Sequence, residues 1–258
     1  MTDPSVVLER RGAVALVVMN EPESRNAMRP SLRGALVEAF AGLIADPNCR
    51  AIVLTGSGKS FCAGGDLGSL PDHDPQAVRL RLEQAHRLLR MIAAGPKPVV
   101  AAVNGYAFGA GLSLAAACDF VLAAESASFG AVFGKVGLMA DMGLLWSLPQ
   151  RVGLAETRRL LFSAATVPAE EAVSLGLADR LVEDTALAEA AWELAAGMAE
   201  APPLALAATK ALLARGPAPL ESVLATELDH QTLLFSSEDF VEGRAAFLER
   251  RPPRFAGR

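Results

Sequence analysis

The feature that most narrows the folds open to this chain is a repeated change of hydrophobic period. Short runs rich in β-branched residues at 14–19, 51–55, 98–103 and 120–123 read as strands. After the first run, Leu32, Leu36, Phe40, Leu43 and Ile44 recur at helical spacing behind a Pro30-Ser31 start. After the second, Leu80, Leu82, Leu88, Leu89 and Ile92 mark another helix, closed by Gly95 and Pro96. Strand–helix–strand alternation at this spacing implies parallel strands joined by right-handed crossovers. Beyond Leu181 the pattern becomes helical only, over 186–200, 204–215, 220–235 and 238–250. The expectation is an α/β core over residues 1–185 followed by a helical region over 186–258.

Composition removes several function classes. With 52% hydrophobic and 21% charged residues, a large core is easily buried and disorder is not expected. A net charge of −5 argues against nucleic acid as the partner, because phosphate binding is carried by Lys and Arg. Cys49, Cys62 and Cys118 have neither disulfide-framework nor zinc spacing, so no metal is expected, and reduced thiols in a cytoplasmic protein are. Residues 1–11 are polar and predict no signal peptide. The apolar stretch 98–117 is broken by Asn104 and by glycines, which suits a buried strand, turn and helix rather than a membrane span. In the last third, Leu220, Val223, Leu224, Leu228 and Leu234 form a broad apolar face that serves either oligomer contacts or the chain's own core.

Three motifs imitate known chemistry and fail on inspection. Gly56-Ser57-Gly58-Lys59-Ser60 ends like a phosphate-binding loop, but Val53 stands where the first glycine is required. Gly109-Ala110-Gly111 opens like a dinucleotide fingerprint, but Leu114 replaces its third glycine. Ser113 lies in Gly-Leu-Ser-Leu-Ala, which lacks the second glycine of a nucleophile elbow, and only His73, His86 and His230 could serve a serine hydrolase.

Two glycine-rich turns remain, each behind a strand: Ser60 through Leu67, and Asn104 through Gly111. Small residues let a ligand approach the backbone, and the second turn aims helix N-terminal amides at it. Together they could present two N–H donors to one oxygen, each typically worth ~3–4 kcal/mol at a transition state.

These residues resemble the crotonase, or enoyl-CoA hydratase/isomerase, superfamily. The resemblance runs through Arg25-Asn26-Ala27-Met28, the run from Ile52 to Leu67, and the run from Lys97 to Gly105. It continues through Cys118-Asp119, Phe129-Gly130, the segment from Glu171 to Leu177, and a final stretch from Glu242 to Arg251. It implies a spiral of repeated ββα units with a C-terminal helical trimerisation region, assembling as a homotrimer or homohexamer. It also implies an acyl-CoA thioester substrate, with coenzyme A arriving as part of that substrate and no other cofactor. Carried over by position, the oxyanion donors would be the amides of Gly65 and Ala110. CoA would lie near Arg25, Ala27, Ala63 and Asp66, with Lys59, Arg250 and Arg251 as weaker candidates for its phosphates.

Departures from the family pattern bear on the reaction. The paired glutamates of hydratases would fall at Ser113 and Phe133, where neither side chain can act as an acid or base. One carboxylate, Asp141, reappears among apolar and small residues. Locally it reads as an N-cap for a helix starting near Met142, or as a desolvated base with a raised pKa. The resemblance to the ring isomerases of phenylacetyl-CoA breakdown, carried by Gly134 through Leu138, Asp141, Trp146 and Leu148-Pro149, implies the base. Double-bond isomerisation with Asp141 as proton shuttle is therefore expected, with Phe133 and Met142 lining the acyl pocket. Three alternatives stay open: hydration of low efficiency, aromatic acyl-CoA dehalogenation or hydrolysis using Asp141 and His86, and non-catalytic acyl-CoA binding. A lone histidine such as His86 is more often a packing or surface residue.

Overall fold

The computed structural model describes residues 3–69 and 74–258; His73 lies outside the described residues. The chain opens with a hairpin, β1 (Val6–Arg11) and β2 (Val14–Met19), turned at Gly12 in the left-handed region. Then come α1 (Pro30–Ala45), β3 (Ala51–Gly56), α2 (Pro75–Ala94) and β4 (Val99–Val103). A short strand, β5 (Tyr106–Phe108), leads into α3 (Ala110–Ala117). The pattern repeats with β6 (Phe120–Ala124), the short β7 (Ser128–Gly130) and α4 (Leu144–Ser163). The remainder is β8 (Thr166–Pro168), α5 (Ala169–Ser174), β9 (Arg180–Val182), α6 (Leu187–Ala199), α7 (Pro203–Leu213), α8 (Leu220–Leu234) and α9 (Glu238–Glu249).

Two sheets result. The larger runs β1-β2-β3-β4-β6-β9, antiparallel at β1–β2 and parallel throughout the rest. Its central strands are apolar on both faces, as parallel strands covered by helices must be. The smaller sheet, β5-β7-β8, takes a short strand from each repeat: after β4 the chain enters β5, and after β6 it enters β7. This long-strand, short-strand, helix repeat is the ββα spiral that the family resemblance implied. Each of the four strands read from the sequence lies in the larger sheet, and each of the four tail helices forms, with ends shifted by a few residues. The first tail helix, α6, buries Leu187, Ala191, Trp192 and Ala195 and packs across β2, β3, β4 and β6. No helix among the described residues is long and apolar enough to cross a membrane.

The alanine-rich composition has a local purpose. Every residue of α3 is buried, and the helix leans so close to the preceding turn that a Cβ at Gly111 would stand 2.1 Å from the carbonyl oxygen of Cys62. That contact is with backbone and cannot rotate away. Gly111→Ala is therefore expected to cost ~3 kcal/mol or more in a urea titration, against ~1 kcal/mol for an ordinary substitution. A cost within the ordinary range would show that α3 is free to slide.

Candidate active site

The site is built on a clasp between two turns. The chain leaving β3 bridges the chain leaving β4 at Ser60 opposite Gly105 and at Cys62 opposite Ala107. Cys62 N–H donates to Tyr106 O at 2.9 Å, and Phe108 N–H donates to Cys62 O at 3.0 Å. The loop before α1 clamps the first turn from its other side: Ala63 N–H donates to Arg25 O at 3.0 Å and Met28 N–H to Gly64 O at 2.7 Å. Asn26, fully buried, ties in Ser57 O and Ser60 O through its amide, and Asn104 ties in Gly56 O and Gly58 O. Gly64 has φ +103°, a conformation L side chains rarely adopt, and a Cβ there would stand 2.8 Å from Phe108 O. With the turns this tightly drawn, the Gly65 and Ala110 amides sit on adjoining backbone, and neither donates to an acceptor among the described residues. Ala110 opens α3, so its N–H has no partner within the helix and adds the helix's positive pole.

Asp141 enters from the segment before α4. Met142 (φ +48°) and Gly143 (φ +71°) are successive left-handed residues that reverse the chain into the helix. The residue flanking the helix start is Gly143, and no side chain caps it. The N-cap reading of Asp141 is thus corrected: the left-handed reversal moves the helix start two residues on, and the carboxylate does not cap it. Its Oδ1 is buried and has no hydrogen-bond partner among the described residues. Burial raises its pKa above the ordinary aspartate value, opposed by the nearby charges of Arg81 and, less strongly, His86. Ser113 Oγ, buried in α3, lies within donating range of Asp141 O (3.1 Å) and Gly109 O (3.2 Å), linking the reversal to the second turn.

The other expected residues sort into four groups. Phe133 and Met142 are buried, and the tip of the Phe133 ring lies 4.0 Å from where a Cβ on Gly109 would be, so the phenyl covers the second turn. Ala27 is buried, Ala63 is partly open, and Asp66 forms an ion pair with Arg29 at 3.0 Å. Arg25 and Lys59 are exposed beside the first turn, whereas Arg251 is committed to Glu242 (2.7 Å) and Glu249 (2.6 Å). His86 is half-buried on α2 and reaches Asp141 through charge, not through a hydrogen bond. Two residues missed from the sequence join the site. Arg81 Nη2 stands 3.4 Å from the Cβ position of Gly65, and Arg33 lies within reach of the Arg81 charge. Among the described residues, no cluster of three or more His, Cys, Asp or Glu side chains could hold a metal ion.

Comparison with known proteins shows the family to which the chain belongs. The family described as enoyl-CoA hydratase/isomerase matches residues 9–258. The chain is 43% identical over 252 residues to the "probable enoyl-CoA hydratase" of Rhodobacter capsulatus, covering 95% of each. It is 36% identical over 250 residues to the 1,2-epoxyphenylacetyl-CoA isomerase of Escherichia coli, again covering 95% of each. Among solved structures it is similar to an enoyl-CoA hydratase from Bacillus anthracis, with a TM-score of 0.93 and 29% identity over 98% of this chain and 100% of that one.

The raised pKa of Asp141 has a consequence for stability. A proton held more tightly in the folded than in the unfolded chain makes the ionised carboxylate a cost to folding. That cost is absent below the unfolded value of about 3.9 and fully present above the folded one. Asp141→Asn is expected to melt higher than the wild type at pH 7, with the gap closing as the pH falls toward 4. A variant that melts lower at pH 7, or a gap that does not change with pH, would show that the carboxylate is not desolvated.

Proposed function

Because the chain belongs to the enoyl-CoA hydratase/isomerase family, we propose that it shifts the double bond of an unsaturated acyl-CoA, with Asp141 carrying the proton. The observation that supports this most is the buried, uncommitted Oδ1 of Asp141, set beside two amides without acceptors. The thioester oxygen lies between the Gly65 and Ala110 N–H groups. Asp141, ionised, takes a proton from C2 of a 3-enoyl group, and the electron pair delocalises into a dienolate whose oxygen the two amides hold. The same carboxyl then returns the proton to C4, leaving the 2-enoyl isomer. One acid–base group suffices because no water is activated, which fits Ser113 and Phe133 at the positions of the hydratases' glutamates.

CoA lies along Arg25, Ala27, Ala63 and Asp66, and Phe133 and Met142 line the acyl end. The reaction calls for no metal or redox cofactor. The exposed Leu220, Leu224, Leu228, Phe247 and Leu248 support assembly into a homotrimer or homohexamer, and three buried free cysteines suit a cytoplasmic setting. Hydration is a second reading, favoured by the name of the 43%-identical relative. With Asp141 as its only acid–base group it would be slow.

Incubation of a trans-3-enoyl-CoA in D₂O separates these readings. The wild type is expected to form the 2-enoyl isomer with deuterium uptake, and Asp141→Asn to lose ~10²–10⁴-fold in rate. The acid limb of kcat/KM should lie above the ordinary aspartate pKa, activity rising with pH as Asp141 ionises. Formation of the 3-hydroxyacyl product in preference to the isomer would instead establish hydration. Full exchange by Asp141→Asn would remove the aspartate from the mechanism.

A further inference from the structure

Two arginines beside the clasp are not used by this chemistry. Arg33 projects from α1 and is only 5% exposed. Its Nε donates to Gln84 Oε1 at 3.2 Å, while its Nη1 is buried with no acceptor. Burial holds its pKa below the usual arginine value, and the charge of Arg81 lowers it further, so the two guanidinium groups share one patch. Arg81, from α2, lies against Gly65 on one side and within charge range of Asp141 on the other. Two acids on the neighbouring segments are committed elsewhere, Asp66 to Arg29 and Glu83 to Arg79. Among the described residues neither guanidinium forms an ion pair, and of the two only Arg81 lies within charge range of the Asp141 carboxylate.

A buried guanidinium without a counter-ion is costly, and a chain that only needed an apolar pocket would be more stable with Leu or Met at these positions. What offsets the cost is an anion from outside. The planar fork of arginine matches a carboxylate, donating two parallel N–H···O bonds to its oxygens.

We propose that the acyl group taken by this site carries a carboxylate of its own, received by Arg33 and Arg81, so that the substrate class is the CoA monothioester of a dicarboxylic acid. The inference rests on the acyl-CoA reading above but not on isomerisation. Bound in this way, the acyl chain is held at both ends, its thioester oxygen by two amides and its free carboxylate by two guanidiniums. The carbons between them are presented to Asp141.

Saturated thioesters test the proposal without any turnover. Calorimetric titration would compare chain-matched pairs: succinyl- with butyryl-CoA, glutaryl- with pentanoyl-CoA, and adipoyl- with hexanoyl-CoA. At one length or more, the dicarboxylyl member is expected to bind about tenfold more tightly or better, as charge-assisted hydrogen bonds imply. Arg81→Met should bring that pair to near-equal affinity, the dicarboxylyl member losing about tenfold more than the monoacid one. Arg33→Met should do the same where circular dichroism and monoacid binding show it folded; Arg81 is half-buried, so its variant carries the test alone if Arg33→Met does not fold. Equal binding within every pair would overturn the proposal and leave the isomerase reading intact. So would an Arg81→Met variant that weakens both members alike, because the arginine would then be serving a phosphate of CoA. A protein that binds no thioester would sink both readings.

Discussion

The site depends on one reciprocal contact, the pair of backbone hydrogen bonds that Cys62 exchanges with Tyr106 and Phe108. Each bond contributes only ~1 kcal/mol net. Their effect is positional, since they fasten together two segments more than forty residues apart and make adjoining backbone of two turns that follow different strands. The glycines at 64, 105 and 111 are what let the turns meet. At each of them a side chain would collide with backbone of the opposing turn: Phe108 O at 2.8 Å, Lys59 O at 2.0 Å and Cys62 O at 2.1 Å. The burial of α3, the clamp from residues 25–28 and the reversal at Met142 all brace this contact from outside.

Around the clasp the protein holds several unfavourable arrangements at once. Asp141 is desolvated, Arg33 is buried with an idle N–H group, and Met142 is held in a left-handed conformation that costs a non-glycine residue ~1–2 kcal/mol. The rest of the molecule can tolerate these because the parallel sheet behind them is apolar on both faces and closed by helices. Local strain concentrated where a ligand is to be recognised, over a well-packed scaffold, is the usual division between function and stability.

Much of this was legible in the sequence, for physical reasons that also mark where legibility ends. The strands of the larger sheet announced themselves because both their faces are buried, giving unbroken apolar runs. β1 was missed because it is an edge strand ending in Glu9, Arg10 and Arg11, charges that protect an edge and read as a polar terminus. β5, β7, β8 and β9 are three residues each, too short for any period to register, although β5 carries the clasp and β7 pairs with it. Asp141 was singled out by resemblance and by its apolar setting, while the competing cap reading failed because nothing local foretold a left-handed methionine. Ser113 was read as a failed nucleophile elbow and as the place of a lost glutamate, and its bond to the Asp141 carbonyl oxygen needed the fold. Arg33 and Arg81 did leave a signal. Arg33 keeps helical step with buried Leu36, Phe40 and Leu43, and Arg81 with Ala85, Leu88 and Ile92. A cation on the apolar stripe of each of two helices is a pattern that composition hides and helical spacing exposes.

Cys62 gives the clasp a chemical signature as well as a structural one. Burial pushes its thiol up to about 12, against a backbone N–H bond from Gly64 that favours the thiolate. With the clasp shut the sulfur is therefore both inaccessible and protonated, and inert to alkylating or oxidising agents. It becomes a nucleophile only in molecules whose turns have parted. Its modification rate in the native protein thus measures how often the two turns separate, and a reagent that catches them apart cannot be expelled when they try to close. Where the turns reclose faster than the reagent reacts, modification by electrophiles would scale with the fraction of molecules whose clasp is open as well as with the reagent's concentration.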